Sequence, residues 1–192
     1  MILVGIGPGN IKYASLEAIE VIKNSRQVLA FSRLGKELED MVSVKYIRTL
    51  EDILDYDGNV TLVVSGDPLL YSAFDFLQRK GIKIEKVIPS ISSFQYMMCK
   101  LKKSWNDALI LSFHGREADL DKVKRNGITI IFTDSKYNPS FFSEHLFWKG
   151  YKGKIYVGFN LSYEDEVIVE GNIGDTFEEM SNLSILVVEA CG

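Results

Sequence analysis

Ten short apolar runs punctuate the chain, at 1–6, 28–31, 44–47, 60–65, 84–88, 107–112, 128–133, 155–160, 167–170 and 184–190. Many are rich in Val, Ile and Leu and lack the polar alternation of a half-solvated strand. They predict strands buried on both faces, and hence a largely parallel sheet. Between them the spacing turns helical. Over 15–24, Ala18, Ile19 and Ile22 share one face and Ser15 stands where a cap belongs. Over 68–79, Leu70, Ala73, Phe74 and Leu77 follow the i, i+3, i+4, i+7 rule, with Gly81 placed to end the helix. Phe94, Met97, Met98 and Leu101 repeat the pattern over 92–101. A helix over 117–126 ending at Gly127, and one over about 139–148 opening on Pro139, complete the set. Strand–helix alternation along the whole chain predicts an α/β protein. The most polar connection between apolar units, 100-KLKKSWND-107, lies near the midpoint and predicts domains 1–104 and 105–192.

Composition narrows the class. The 192 residues carry 22 Lys+Arg against 26 Asp+Glu, a net charge of −4, and 46% are hydrophobic. Such a chain can bury a core without a metal or a disulfide. Its acidic balance argues against a general nucleic-acid binder. No run approaches the ~18–20 apolar residues of a membrane span. The opening MILVGIGPGN lacks the basic region and long apolar stretch of a secretory signal. Cys99 and Cys191 form no CxxC or Cys/His grouping, so no metal site is expected and a reduced, cytoplasmic setting is.

Four loops, each following a predicted strand, hold the candidate chemistry. In 5-GIGPG-9 the glycines allow close approach of backbone to a ligand. A dinucleotide fingerprint fails in detail: Asn10 stands where the third glycine belongs, and Pro8 removes an N–H. The second strand, ending Leu29-Ala30-Phe31-Ser32, also lacks the acid that would hold a ribose. A nucleotide-binding oxidoreductase is therefore the weaker reading, and this motif alone leaves ligand loop and plain turn both open. In 65-SGDPLLYS-72, Asp67 and Pro68 are explained as a helix cap and first residue. Gly66 lies instead at the carboxyl end of a buried strand, where α/β sheets bind ligands, and Tyr71 and Ser72 could face the same crevice. In 89-PSISSFQ-95, Ser92 and Gln95 fit a capping box, which leaves Ser93 as the better ligand candidate. In 112-SFHGREAD-119, His114 stands beside Gly115 and Arg116. A lone histidine is more often structural, but its place at a strand's carboxyl end favours function. His145 lies mid-helix and reads as structural. No nucleophile elbow, zinc-protease helix, EF-hand or phosphate-binding P-loop occurs.

Taken together and in order, GIGPGN at 5–10, SGDPLLYS at 65–72, IPSISS at 88–93 and LSFHGR at 111–116 resemble the tetrapyrrole (precorrin/corrin) methylase family. TDSKYNPSFFSEHL at 133–146 and VGFNLSYEDEVIVEG at 157–171 extend the likeness to nearly the whole chain. The SFHGR and NLSYEDEVIVEG segments are most similar to the branch that methylates carbon 5 of a precorrin or cobalt-precorrin in cobalamin synthesis. The resemblance implies two α/β domains with a cleft between them, S-adenosylmethionine as methyl donor, a tetrapyrrole substrate and a homodimer. By position it implies that Pro8, Gly9, Gly66, Asp67, Pro68, Leu69, Leu70, Tyr71, Ser72, Ser92, Ser93 and Thr133 border the cofactor. His114 becomes the candidate for handling a proton or orienting substrate, and Arg116, Arg33 and Lys12 the candidates for pairing with its carboxylate arms. Arginine's planar fork suits a carboxylate, although solvated surface charge explains Arg33 and Lys12 as well. In some relatives a second, decarboxylating methylase is fused to this one. The length here leaves no room for it, so a separate C15-methylating partner is expected. Two departures stand out: Ser90 where the family has glycine, and Glu164 where it has proline. Rival readings are methylation of another macrocycle carbon or of a protein side chain, and a non-catalytic tetrapyrrole carrier.

Overall fold

The computed structural model describes residues 1–56, 59–116, 118–182 and 184–192. All ten apolar runs form strands, divided equally between two compact units, Met1–Ser93 and Phe94–Gly192.

In the first unit, β1 (Ile2–Gly5), β2 (Val28–Phe31), β3 (Val44–Ile47), β4 (Thr61–Val64) and β5 (Lys86–Ile88) make one parallel sheet, ordered β3-β2-β4-β1-β5. Helices α1 (Leu16–Asn24), α2 (Ser32–Lys36) and α3 (Ala73–Arg79) flank it. Successive strand residues point to opposite faces and find apolar partners on each. Leu3, Leu29, Leu62 and Val64 pack with Ala73 and Leu77 of α3. Val4, Val28, Ala30 and Val63 pack with Ala18 and Ile22 of α1. Two covered faces explain why these strands read as continuous apolar runs. Ser15 caps α1, its hydroxyl accepting from the Ala18 N–H at 3.1 Å. The chain leaves β1 towards β2 and the adjacent β4 towards β5. Their connections therefore run in opposite directions, with α1 and α3 on opposite faces, and the carboxyl ends of β1 and β4 mark a topological switch.

The helix predicted over 68–79 begins at Ala73. Asp67 caps a tight turn rather than the helix: its carboxylate accepts from the Leu69 N–H at 2.8 Å and its carbonyl from the Leu70 N–H at 3.2 Å. Tyr71 then adopts φ +51°, so Pro68 through Ser72 form a loop. The five-residue α2 has no counterpart in the apolar spacing.

In the second unit, β6 (Leu109–Ser112), β7 (Gly127–Phe132), β8 (Gly153–Phe159), β9 (Val167–Asn172) and β10 (Ser184–Ala190) are ordered β6-β7-β10-β8-β9. Here the expectation of a largely parallel sheet fails. Only β6·β7 pair in parallel, while β7·β10, β10·β8 and β8·β9 are antiparallel. The cause is connectivity. No helix among the described residues separates β8 from β9 or β9 from β10, and parallel pairing needs a long crossover. The α5 helix (Pro139–Trp148) does cross from β7 to β8. Asn138 caps it through the Phe141 N–H at 2.8 Å, with Pro139 in its first turn. Its Phe142 is fully buried, edge-on to Phe113 at 4.9 Å. The helix predicted over 117–126 is only a 3-10 turn, Leu120–Lys122, and residue 117 lies outside the described residues. Local bonds replace the helical ladder: Asp119 accepts from the Asp121 N–H, and the Lys124 N–H donates to the Thr129 hydroxyl at 3.0 Å. Gly127, at φ +109°, opens β7 instead of ending a helix.

The units meet along the chain at 93/94, ahead of the polar connection 100–107. Helix α4 (Ser93–Leu101) and the residues after it are tied to the second sheet. Met97 fills the space beside Gly158, where a Cβ would lie 2.8 Å from its sulfur. Lys100 pairs with Glu166 at 3.0 Å and Lys103 with Glu189 at 2.9 Å. The polar character that suggested a linker therefore reflects ion pairs within one unit. No helix among the described residues is long and apolar enough to cross a membrane.

Phe142→Ala should lower stability by about 3–5 kcal/mol in urea unfolding, whereas Leu16→Ala, at a position 90% exposed, should change it by less than about 0.5 kcal/mol.

Candidate functional site

Three loops of the first unit converge beyond the carboxyl ends of β1, β4 and β5. The centre of the convergence is Gly5. A Cβ there would lie 2.4 Å from the Gly66 carbonyl oxygen, 2.8 Å from Cδ of Pro68 and 3.1 Å from Cβ of Ser90. Backbone bonds fasten the first two loops together: Ile6 N–H to the Val64 carbonyl at 3.2 Å, and Gly66 N–H to the Gly7 carbonyl at 2.6 Å. Gly66 has φ +67°, and Ser92 lies 3.6 Å from where its Cβ would be. The predicted residues Pro8, Gly9, Gly66, Asp67, Pro68 and Ser92 thus occupy one small region of closely packed backbone. Pro8, Gly9, Pro68 and Ser92 are buried there. Leu69 and Tyr71 of the same loop are 55% and 38% exposed. Leu70 and Ser72 are half-buried in the same loop, and Ser93 opens α4. Ser90 is not among the residues with positive φ, so the glycine-to-serine departure carries no left-handed strain. Lys12 is exposed in a 3-10 turn, with Nζ 4.9 Å from the Tyr13 ring centre, and Arg33 is half-buried in α2.

The second unit gathers its candidates where β6, β7 and β8 end and β10 begins. His114 follows β6, and its Nδ1 lies 3.1 Å from the Thr133 carbonyl oxygen at the end of β7. A carbonyl only accepts, so Nδ1 carries the hydrogen, and of the two neutral tautomers this contact selects the one with a bare Nε2. Thr133 is itself buried, and its hydroxyl donates to the Ser184 carbonyl at 3.0 Å and meets the Ser184 hydroxyl. Its polar groups are thereby engaged within this unit. Asp134 accepts three backbone N–H groups: Tyr137 at 2.7 Å and Lys136 at 2.9 Å on Oδ1, and Gly115 at 3.2 Å on Oδ2. The Tyr137 N–H leads in holding this carboxyl below the usual range. Gly115, Lys136 and His114 add to it against some desolvation. Arg116 is exposed one residue beyond the glycine turn.

Beyond β8 the chain passes through Asn160 at φ +47° and Ser162 at φ +74°, both buried. Glu166 accepts the Ser162 N–H at 2.6 Å and pairs with Lys100. Burial pushes its carboxyl up, but bonds from Tyr96, Ser162 and Lys100 outweigh that and hold it below the usual range. His145 stacks on Phe141 at 5.9 Å within α5. Among the described residues no cluster of three His, Cys, Asp or Glu side chains could hold a metal.

Asp134, Ser184 and Glu166 went unread in the sequence. The signal for Asp134 was present: an aspartate directly after a strand, followed by Ser-Lys-Tyr, is an Asx-turn pattern. Ser184 and Glu166 depend on sheet register and on a distant lysine, which no local pattern supplies.

The model of the family described as tetrapyrrole (corrin/porphyrin) methylases matches residues 1–176. The chain is 28% identical over 183 residues, 86% of each sequence, to a Methanocaldococcus jannaschii protein named "Probable cobalt-precorrin-7 C(5)-methyltransferase". Its fold is similar to the cobalamin-biosynthesis precorrin-6Y methylase of Archaeoglobus fulgidus, with a TM-score of 0.74 and 21% identity over 100% of this chain and 98% of that one. It is also similar to the uroporphyrin-III C-methyl transferase of Thermus thermophilus complexed with S-adenosyl homocysteine, with a TM-score of 0.75 and 18% identity over 98% and 96%. With the family model covering all but the last strand and its approach, the chain belongs to the tetrapyrrole methylase family and is an S-adenosylmethionine-dependent methyltransferase.

Proposed function

We propose that this methyltransferase acts on carbon 5 of a precorrin or cobalt-precorrin on the route to cobalamin. The single observation that carries the reading is the convergence of three loops on Gly5, together with a relative over 86% of the chain whose name specifies that reaction. The first unit's loops fit the methyl donor. They offer the Pro8 carbonyl, backbone groups of Gly9 and Gly66, and hydroxyls from Ser92 and Ser93. Leu69, Leu70 and Tyr71 add apolar surface. That mixture suits a ligand combining a flat base, a ribose and a charged amino acid. When bound, S-adenosylmethionine supplies a methyl group already activated as a sulfonium.

The chain's own contribution is then mostly alignment, worth several kcal/mol, about 7–11 at the upper limit. Pro68 and the Asp67-capped turn fix the wall that Leu69 and Tyr71 present. In the second unit, Nε2 of His114 is free to take a proton from the substrate if the methylated carbon must lose one, because Nδ1 is already donating to Thr133. Thr133 contributes by seating that ring, its own hydroxyl being tied to Ser184. Arg116 pairs with a substrate acetate or propionate; Arg33 and Lys12 are the secondary candidates. We further infer a cytoplasmic homodimer that works beside a separate decarboxylating C15-methyltransferase.

Three outcomes are expected. Incubation with cobalt-precorrin and [methyl-13C]S-adenosylmethionine should place the label on carbon 5 by 13C NMR; label on another carbon would refute the regiochemistry, and none the reaction. Arg116→Ala should raise KM for the tetrapyrrole by about ten- to a hundredfold while leaving S-adenosylhomocysteine binding unchanged, as loss of one charge-assisted bond of about 1.5–3 kcal/mol implies. Gly5→Ala should weaken S-adenosylhomocysteine binding by at least about tenfold, because its Cβ would force the Gly66 carbonyl and Pro68 apart; circular dichroism would check that the sheet persists.

A further inference from the structure

Two turns in the second unit are separate in sequence: the one after β6, at 113–116, and the one after β7, at 133–137. Hydrogen bonds fasten them together at Asp134. One carboxylate oxygen accepts the Tyr137 and Lys136 N–H groups at 2.7 and 2.9 Å, closing the second turn on itself. The other oxygen reaches across and accepts the Gly115 N–H at 3.2 Å. The Asp134 N–H returns a bond to the Tyr137 carbonyl at 3.3 Å. His114 sits immediately before the captured N–H, and Thr133, whose carbonyl accepts from its ring, immediately before the capturing carboxylate. The bridge thus joins residues 115 and 134, and the ring contact joins 114 and 133, side by side.

We propose that Asp134 is the positioning residue for His114: it locks the turn after β6 onto the turn after β7, seating the imidazole on the Thr133 carbonyl so that Nε2 stays the bare nitrogen. The functional consequence rests on the reading of His114 as the proton-handling group; the structural consequence does not. His114 is exposed, and an exposed imidazole without a fixed partner samples both tautomers and several ring orientations. A bridge of two backbone bonds on one side and one on the other removes that freedom at the backbone. A carboxylate is required for it. An amide at 134 keeps one carbonyl oxygen for Tyr137 and Lys136 but turns an NH2 towards the Gly115 N–H, where two donors cannot bond. The Tyr137 N–H and the other backbone donors hold the Asp134 carboxyl below the usual carboxylate range, so it is charged at neutral pH.

The test uses the intact chain labelled with 15N-histidine, with His114 assigned by comparison with His114→Gln. In the wild type, two-bond 1H–15N spectra should show Nδ1 protonated and Nε2 with the shift of an unprotonated ring nitrogen. In Asp134→Asn and Asp134→Ala the two nitrogens should move towards averaged shifts, with the thermal transition retained at least in the Asn variant. In methyl transfer the same variants should lose kcat by about tenfold or more while KM for S-adenosylmethionine holds. A wild-type His114 protonated on Nε2, or an Asp134→Asn spectrum identical to wild type, would overturn the proposal. If the tautomer responds to Asp134 but the wild type transfers no methyl group, the positioning role stands and the reading of the enzyme's function falls.

Discussion

The missing side chain at Gly5 is the constraint on which the first unit's chemistry depends. A parallel sheet covered on both faces leaves only its edges for a ligand, and here the carboxyl edge must accommodate three chain segments at once. They meet where a single methyl group would collide with the Gly66 carbonyl at 2.4 Å. Beside it the Gly66 N–H donates to the Gly7 carbonyl, Asp67 caps the Leu69 N–H of a turn instead of a helix, and Leu69 and Tyr71 remain exposed. Apolar side chains held out of a core by a rigid turn are available to a ligand.

The second unit solves a different problem. Its sheet is mostly antiparallel, so its strand ends are knit by direct side-chain and backbone bonds at the β7–β10 junction. Thr133 and Ser184 join there, and the carboxylates of Asp134 and Glu166 accept the N–H groups of the flanking turns. Both carboxyls lie below their usual range: backbone donors led by the Tyr137 N–H favour the charged form of Asp134, and the Tyr96 side chain, the Ser162 N–H and Lys100 outweigh burial at Glu166. The first unit therefore presents mainly backbone and apolar surface, and the second presents titratable groups with fixed hydrogen bonds.

The ten strands were legible in the sequence because Val/Ile/Leu runs mark them whichever way they pair. Their direction in the second unit was not legible, since β8 and β10 are as apolar as parallel strands and the absence of intervening helices reverses them. The Ser15 and Asn138 caps of α1 and α5 act at the positions expected for helix starts. Asp67-Pro68 looked like a third start, yet the left-handed Tyr71 moved the helix to Ala73, because a capping aspartate serves a turn as readily as a helix. The loops carrying Gly66, Ser92 and His114 were found through their place after strands. Asp134 escaped because its partner Gly115 lies 19 residues away and belongs to another loop.

Calorimetric titration of the purified chain with S-adenosylhomocysteine, with NAD as control, decides whether this chain takes the methyl donor. Saturable binding of S-adenosylhomocysteine and none of NAD is expected. Binding of NAD, or no binding of S-adenosylhomocysteine with or without tetrapyrrole present, would contradict that expectation.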